Sequence, residues 1–163
     1  MEFQVGDKVV YPMHGAGVVE SIEEKEILGK KQEYYVLNFP MGGVKVMVPT
    51  QNVEQIGLRQ VIAEDDVGKV MDILSGDKTK MPANWSKRYR INMNKIKSGD
   101  IYEVAAVVRN LMLRDKERGL SNAERKMLNS ARQILISELA LSTDAEQEEI
   151  KAMVDRISEQ NNA

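Results

Sequence analysis

Residues 34–48 read YYVLNFPMGGVKVMV, and this stretch decides how the first part of the chain folds. Its first six residues are mostly aromatic or aliphatic, and Val44–Val48 alternates valine with other side chains. Met41-Gly42-Gly43 lies between the two runs and carries residues that are typical of a turn. Because two such runs separated by a short glycine-containing loop are typical of a hairpin, the stretch predicts two antiparallel strands.

The same kind of pattern extends outward from this hairpin, from Asp7 to Pro49. Short runs of strand-forming residues alternate with turn signals such as Gly29. Four or five strands in about 55 residues favour a small twisted antiparallel barrel, because closure or near closure protects the strand edges. We therefore expect a first domain over residues 1–58, of the kind that usually acts as a binding module.

Helix signals replace the turn signals after Leu58. Capping boxes start at Asp100 and at Ser121, each with a glutamate three residues later, and Gly99 and Gly119 stand where helices would stop. The pattern predicts helices over 59–74, 85–98, 100–118, 121–141 and 144–160. The predicted fold class is thus α+β, with a small antiparallel β-barrel followed by an all-α domain over residues 59–163. The loop at 75–83 is the one stretch long enough for a hinge.

Charge is concentrated in the middle of the chain. Residues 77–133 hold 14 basic and 6 acidic side chains, a net charge of +8, whereas the whole chain carries −2. Residues 134–163 are acidic, with a net charge of −5 from 2 basic and 7 acidic side chains. The basic block suits a polyanion such as nucleic acid. The alternative is an ordinary solvated helical surface, which often carries runs of charge.

The composition argues against catalytic and metal-binding classes. The chain has no cysteine and one histidine, which excludes disulfides, thiolate metal sites and cysteine nucleophiles. His14 lies in a predicted turn, and Gly15 and Gly17 begin a glycine-rich pattern in which Glu20 replaces the third glycine. We therefore expect no enzyme, no cofactor and no metal. Residues 1–4 do not resemble the start of a targeting peptide and no long apolar run is present, so we expect a cytoplasmic protein without membrane contact.

Residues 82–90 read PANWSKRYR and place the only tryptophan of the chain, Trp85, at the start of a predicted helix. In one interpretation the indole joins an apolar stripe on the buried face of that helix, made of Trp85, Tyr89, Met93 and Ile96. In the other, the basic neighbours straddle phosphates while the ring meets bases. From the residues alone burial is favoured, because an isolated tryptophan is more often packed than functional.

Several ordered motifs, from Phe3 to about Leu141, resemble the bacterial CarD/CdnL family of RNA polymerase-binding transcription regulators. The first is VGDKVVYPMHG at 5–15, and the central one is NWSKRY at 84–89. The later ones are GD at 99–100, VVR at 107–109, RD at 114–115, ERGLS at 117–121, KML at 126–128 and ARQIL at 131–135. The first motif alone also resembles the polymerase-interacting module of transcription-repair coupling factors.

The resemblance implies a Tudor-like N-terminal barrel that docks on the polymerase β subunit, and a helical C-terminal domain that touches promoter DNA. It also implies that Trp85 enters the minor groove at the upstream edge of the melted bubble. There it would stabilise the open complex, largely independently of base sequence. Phosphate contacts are expected from Lys87, Arg88 and Arg90 beside the tryptophan, and from Arg114, Arg125 and Lys126 on later helices.

On the polymerase side, the resemblance points to the last strands of the barrel. The expected docking residues are Lys25, Val44, Lys45, Val46, Met47 and Pro49. Val44, Val46 and Val48 are expected to face inward, and Lys45 and Met47 outward, with Pro49 at the end of the edge. Some relatives carry arginine where this chain has Lys25 and Met47, so bidentate contacts at those positions are not implied here. The alternative is an ordinary solvated edge strand.

Two other functions remain open at this stage. One is a non-catalytic protein–protein scaffold whose basic block meets an acidic partner. The other is an accessory of transcription-repair coupling, although no nucleotide-binding loop is present for a motor. Neither involves a DNA wedge. We expect a monomer, and the acidic last helix has no assigned role.

Overall fold

The computed structural model describes residues 2–160 and begins with a small antiparallel sheet. Its five strands lie in the order β4-β3-β2-β1-β5, so that β4 and β5 form the two edges. The strands are β1 (Lys8–Tyr11), β2 (Gly15–Ile27), β3 (Lys30–Phe39), β4 (Val44–Pro49) and β5 (Arg59–Gln60).

Helices make up most of the chain beyond the sheet. They are α1 (Val53–Ile56), α2 (Val67–Leu74), α3 (Trp85–Lys97), α4 (Ile101–Arg118), α5 (Asn122–Thr143) and α6 (Gln147–Gln160). Short 3₁₀ turns at Thr50–Asn52 and Glu64–Asp66 precede α1 and α2. An antiparallel β unit followed by helices confirms the predicted α+β class.

The predicted hairpin is formed by β3 and β4 and carries the core of the sheet. Tyr35 pairs with Val48, and Leu37 pairs with Val46, so alternate residues of both strands face the same side. That side packs on the start of the chain, where the amide of Phe3 donates to the Tyr35 hydroxyl at 3.0 Å. The remaining buried members of this core are Val9, Val19, Phe39, Val53 and Leu58.

The β2–β3 hairpin extends well beyond this core. From Ile22 to the turn every residue of β2 is exposed, and this half of the hairpin includes Lys25. The two-residue turn, Leu28-Gly29, has positive φ angles of 53° and 79°, as a type I′ turn requires. Tight pairing rather than core packing therefore holds this part of the sheet.

The helical part is organised around α4 and α5. A second core, separate from that of the sheet, joins α2, α4, α5 and α6. The predicted caps are present, because Asp100 accepts from the amide of Tyr102 at 2.8 Å and Ser121 accepts from that of Glu124 at 3.2 Å. The acidic last helix buries Ile150 and Val154 in this core. It therefore has a packing role, which the sequence did not assign.

Two predicted helix boundaries are wrong. The helix expected over 59–74 begins only at Val67, because Arg59 and Gln60 pair with β1 as strand β5. The helix expected over 144–160 begins at Gln147, because Asp144 adopts a left-handed conformation (φ 54°) and terminates α5. In both places a tertiary contact or a cap competes with local helix propensity.

The sheet packs against α5. The amide of Ala16 donates to the Ser137 hydroxyl at 2.9 Å, and Lys8 donates to the carbonyl of Leu141 at 2.8 Å and to Asp144 at 2.6 Å. Gly15 approaches the same helix so closely that a Cβ there would lie 2.8 Å from the Ser137 hydroxyl. These contacts join the β part to the helical part, and a domain division near residue 58 stays a prediction.

The segment at 75–83, predicted as a hinge, is tied to α4. The amide of Thr79 donates to the Asn110 side chain at 3.1 Å, and the Asn110 amide group donates back to the Thr79 hydroxyl at 2.7 Å. Lys78 forms an ion pair with Glu117 at 2.6 Å. These contacts restrain the segment in the conformation described, and the hinge stays a prediction.

Candidate nucleic-acid interface and docking edge

Trp85 is the first residue of α3 and lies at the surface. Asn84 caps the helix by accepting from the amide of Lys87 at 3.1 Å, and this cap fixes where the helix begins. The indole is 44% exposed and stacks on the Tyr89 ring, with centroids 5.4 Å apart and planes at 22°. The interpretation in which the indole is buried is therefore wrong. Trp85 is exposed because α3 begins at this residue, at the margin of the helical core.

A hydrogen bond from the indole to the residue that caps α5 holds the ring in place. Its Nε1–H donates to the Ser121 hydroxyl at 3.1 Å, 36 residues along the chain. Ser121 is the residue that caps α5. The first turns of α3 and α5 therefore meet at Trp85, although nothing in the local sequence pairs these two residues.

Arg88 departs from its expected role beside the tryptophan. It is 2% exposed, and its Nε and Nη2 donate to the Glu124 carboxylate at 2.9 and 3.2 Å. Its Nη1 donates to the carbonyls of Pro82 and Ala83 at 3.3 and 3.2 Å. This corrects the expectation that Arg88 holds phosphate, because a buried guanidinium with these partners anchors α3 to α5 instead.

The hydrogen bonds from Arg88 hold the pKa of the Glu124 carboxyl below its ordinary value of 4.5, against the opposing effect of burial. The fully buried residues of α3 are Arg88, Asn92 and Ile96, and two of these three side chains are polar. Of the predicted apolar stripe, Ile96 is buried and Tyr89 and Met93 pack against the helical core, whereas Trp85 is exposed. Hydrophobic periodicity therefore finds the apolar part of the inner face of α3 but misses Arg88 and Asn92, since these polar side chains are buried only because partners on other segments satisfy them.

The other predicted phosphate contacts divide into two kinds. Lys87, Arg90 and Lys126 are exposed, and within residues 2–160 none of them forms an ion pair. Arg125 pairs with Asp115 at 2.9 Å, which offsets part of its charge. Arg114 is half-buried, and its Nε is buried without a hydrogen-bond partner among the residues described. The strongest free positive charge of the predicted set thus lies on α3 and at the start of α5.

The outer face of α3 continues this positive charge away from Trp85. Lys87, Arg90, Asn94 and Lys97 are all exposed, and α3 contains no acidic residue. Their spacing places them along one side of the helix, over about 15 Å at 1.5 Å per residue. Asn94 and Lys97 were not among the predicted site residues, although helical periodicity from Lys87 points to them.

The predicted docking strand β4 is an edge of the sheet. It pairs with β3 on one side, and no described strand pairs with the other. Val48 is buried and Val46 is half-buried, whereas Val44 is 54% exposed. Val44 pairs with the buried Phe39 and lies on the same face as Val46 and Val48, as expected, but it is exposed because it is the first residue of β4, next to the exposed turn at Gly42-Gly43.

The polar face of this edge carries Lys45, Met47 and Lys25. Lys45 forms an ion pair with Glu20 at 3.1 Å, and Met47 is exposed. Lys25 of β2 pairs with Gln32 of β3, and Met47 of β4 pairs with Val36 of β3, so they share a face but are about 13 Å apart along β3 and lie on opposite sides of that strand. Pro49 is half-buried at the end of the strand. The structure thus spreads these side chains along one face without bringing them into contact.

A groove of about 480 Å³ lies between the sheet and α5 and α6 and is lined partly by Ala16, Ser137 and Leu141. Across residues 2–160, no three acidic or histidine side chains come together as metal ligands. No helix in that range is long and apolar enough to span a membrane.

Comparison with known proteins agrees with this two-part arrangement. A family model described as "CarD, C-terminal domain" matches residues 69–155, and one described as "CarD-like/TRCF RID domain" matches residues 3–62. The chain is 43% identical over 150 residues to YdeB, a candidate transcription factor of Bacillus subtilis (strain 168). The match covers 92% of this chain and 98% of that protein.

A solved structure, the solution NMR structure of the 72-residue N-terminal domain of Myxococcus xanthus CarD, is also similar. It is 39% identical, and the match covers 36% of this chain and 79% of that chain at a TM-score of 0.32. The family models together match most of the chain, and the Bacillus relative matches nearly all of it. The chain therefore belongs to the CarD family of transcription factors.

Proposed function

We propose that this protein binds the β subunit of bacterial RNA polymerase and stabilises the promoter open complex by placing Trp85 in the DNA minor groove at the upstream edge of the bubble. The observation that carries the proposal is the position of the only tryptophan, which is exposed at the start of α3 and hydrogen-bonded there. We further propose that the protein is a non-catalytic monomer that acts in the cytoplasm, where the polymerase works.

The chemistry of an exposed indole supports a wedge. Unstacking a base step costs a few kcal/mol, and an apolar side chain that fills the resulting gap recovers part of that cost. If the ring packs only against the distorted DNA, it favours the open state over the closed one. Lys87 and Arg90, two and five residues after the tryptophan on α3, are exposed cations and are suited to neighbouring phosphates.

The open edge of β4 supports docking on a protein partner. An unpaired edge offers backbone donors and acceptors to a strand of the partner, and outward side chains such as Lys45 and Met47 add specificity. Hydrogen bonds join the sheet to α5, so docking through β4 would also fix the position of the helical part. Docking on the polymerase would then carry Trp85 to the promoter.

The variant Trp85→Ala tests the proposal, with Ile91→Ala as a matched control. Ile91 is 40% exposed and lies six residues after Trp85 on the same helix. We expect Trp85→Ala to lose about 1–3 kcal/mol of stability, since it removes one hydrogen bond and one ring stack, each of which contributes about 0.5–1.5 kcal/mol. It should keep polymerase binding and shorten the open-complex lifetime by about tenfold or more. Ile91→Ala should leave the lifetime unchanged.

A second candidate function is a protein–protein scaffold or a transcription-repair coupling accessory without a DNA wedge. The observation that favours it is the description of the model matching residues 3–62, which joins CarD-like proteins with TRCF. In that case a folded Trp85→Ala variant would bind the polymerase and leave the open-complex lifetime at its normal value. That result would exclude the wedge.

A further inference from the structure

The hydroxyl of Ser121 uses all of its hydrogen-bonding capacity around Trp85. It accepts from the indole Nε1–H at 3.1 Å and from the amide of Glu124 at 3.2 Å, and its own O–H is 3.3 Å from Oε1 of Glu124. A hydroxyl has one donor and two acceptor positions. Ser121 therefore both caps α5 and holds the nitrogen edge of the indole by a hydrogen bond.

The contacts form a closed loop between the first turns of two helices. Trp85 and Arg88 belong to the first turn of α3, and Ser121 and Glu124 begin α5. Arg88 and Glu124 are each 2% exposed and form an ion pair at 2.9 Å. The exposed pair, Trp85 and Ser121, thus lies above a buried ionic anchor, which limits how far the two helices can move apart.

We infer that Ser121 is a positioning residue that sets the orientation of the Trp85 indole before DNA is bound, an inference that rests on the proposed function. Stacking on Tyr89 restrains the plane of the indole but does not determine which edge points outward. The hydrogen bond to Ser121 determines it, because the nitrogen edge of the ring must face the start of α5.

Orienting the ring in advance strengthens the wedge. A side chain that is mobile in the free protein loses conformational freedom when it enters a groove, and that loss weakens binding. A pre-oriented indole has already lost this freedom on folding. We therefore expect the loss of the Ser121 contact to shorten the open-complex lifetime by about three- to tenfold, the effect of ordering one side chain.

The variant Ser121→Gly tests the inference directly. Glycine at the N-cap position of a helix costs little stability relative to serine, but it has no hydroxyl to accept from the indole. Because Trp85 is the only tryptophan, its fluorescence reports on this ring alone. We expect lower fluorescence anisotropy and stronger acrylamide quenching in the free protein, a shorter open-complex lifetime and unchanged polymerase binding. Ser121→Thr keeps a hydroxyl and should restore wild-type values.

The effect of Ser121→Gly in a Trp85→Phe variant distinguishes positioning of the indole from capping of α5. Trp85→Phe keeps an aromatic ring but has no N–H, so it should shorten the lifetime by itself. Adding Ser121→Gly to Trp85→Phe should then produce no further change. An equal loss from Ser121→Gly in both backgrounds would show that Ser121 acts only as a cap, and would overturn the inference.

The failure of this inference can be distinguished from the failure of the proposed function. If Ser121→Gly leaves both anisotropy and quenching of the free protein at wild-type values, the positioning role is wrong even where Trp85→Ala shortens the open-complex lifetime. If Trp85→Ala leaves the lifetime unchanged, the wedge itself is wrong. A fall in anisotropy in Ser121→Gly would still support the orientation of the ring by Ser121.

Discussion

Arg59 of the edge strand β5 forms a two-pronged ion pair with Glu138 in the C-terminal part of α5. Nη1 and Nη2 of Arg59 each donate to one carboxylate oxygen at 2.7 Å, and Glu138 is 2% exposed. Glu138 also accepts from the amide of Ile62 at 2.9 Å, and Arg59 Nε donates to the carbonyl of Gly99 at 2.9 Å. One buried carboxylate therefore connects the sheet, the segment after it and the longest helix.

Removal of the Glu138 carboxylate should destabilise the protein strongly. Glu138→Ala leaves the Arg59 guanidinium without its anionic partner and the amide of Ile62 without its acceptor. Breaking a buried pair in this way costs about 3–5 kcal/mol. Urea unfolding followed by circular dichroism measures the effect. Glu33→Ala, at an exposed site on β3, serves as the control and should change stability by less than about 0.5 kcal/mol. Equal losses in the two variants would contradict the role of the ion pair.

The Arg88–Glu124 pair should make stability depend on pH in the acid range. Hydrogen bonds from Arg88 lower the pKa of Glu124 in the folded state from its ordinary value of 4.5. The unfolded state therefore binds this proton more readily, so the pair stabilises the fold above the ordinary pKa. That contribution is lost as the pH falls through the lowered pKa.

Unfolding experiments between pH 6 and pH 2.5, on the order of the range in which glutamates titrate, measure this dependence. Glu124→Gln should be less stable than wild type at neutral pH, and its stability should fall less steeply on acidification. Glu117→Gln is the comparison variant: the hydrogen bond from Lys78 also lowers the pKa of Glu117, but this ion pair is exposed, so the variant should flatten the profile less than Glu124→Gln does. If the Glu124→Gln profile keeps the wild-type slope, the buried pair does not cause the acid dependence.

The exposed cations of α3 should determine the salt dependence of DNA binding. Each phosphate contact adds about 0.9 to the slope of the logarithm of affinity against the logarithm of salt concentration. The double variant Lys87→Ala with Arg90→Ala should therefore reduce the slope by about 1.8 on duplex DNA. Fluorescence anisotropy of labelled DNA over a salt series measures this. Lys31→Ala, which removes an exposed cation from the β2–β3 hairpin, should leave the slope unchanged. A similar reduction in that variant would place the DNA elsewhere.

Charge reversal on β4 should weaken polymerase binding. Lys45→Glu with Met47→Glu places two negative charges on the outward face of the open edge, and Lys45→Glu also faces Glu20 instead of pairing with it. We expect about a tenfold loss of affinity for the isolated β subunit, the size of effect that two unfavourable interface charges produce. Lys126→Glu, on α5, is the matched reversal and should bind normally. Normal binding by the folded double variant would move the interface to another surface.

Local sequence features predicted the elements that depend on a few neighbouring residues. The β3–β4 hairpin follows from residues 34–48, and the caps at Asp100 and Ser121 are made by the expected side chains. Charge in the middle of the chain pointed to α3 as a positive surface. The resemblance to the CarD/CdnL family, which the comparisons bear out, also came from ordered motifs in the sequence.

Local sequence features do not predict which of two neighbouring cations is buried. Lys87 and Arg88 are adjacent cations, yet one is exposed and the other is buried against Glu124, 36 residues away. Which of the two turns inward depends on the rotation of α3 about its axis, and a partner from α5 sets that rotation. An apolar stripe predicts the inner face only when the buried residues are apolar.

The sequence by itself therefore determined the antiparallel hairpins, the positions of most helix starts and the concentration of basic charge, because turns, caps and composition act over a few residues. Only the tertiary structure decided that Trp85 is exposed, that Arg88 is buried, and that Arg59 and Gln60 form a strand. Each of these outcomes depends on a partner far along the chain, and Arg59 and Glu138 are 79 residues apart. Pairing over such distances is set by how the elements pack, since no local pattern specifies which distant side chain will satisfy a buried charge or an open strand edge.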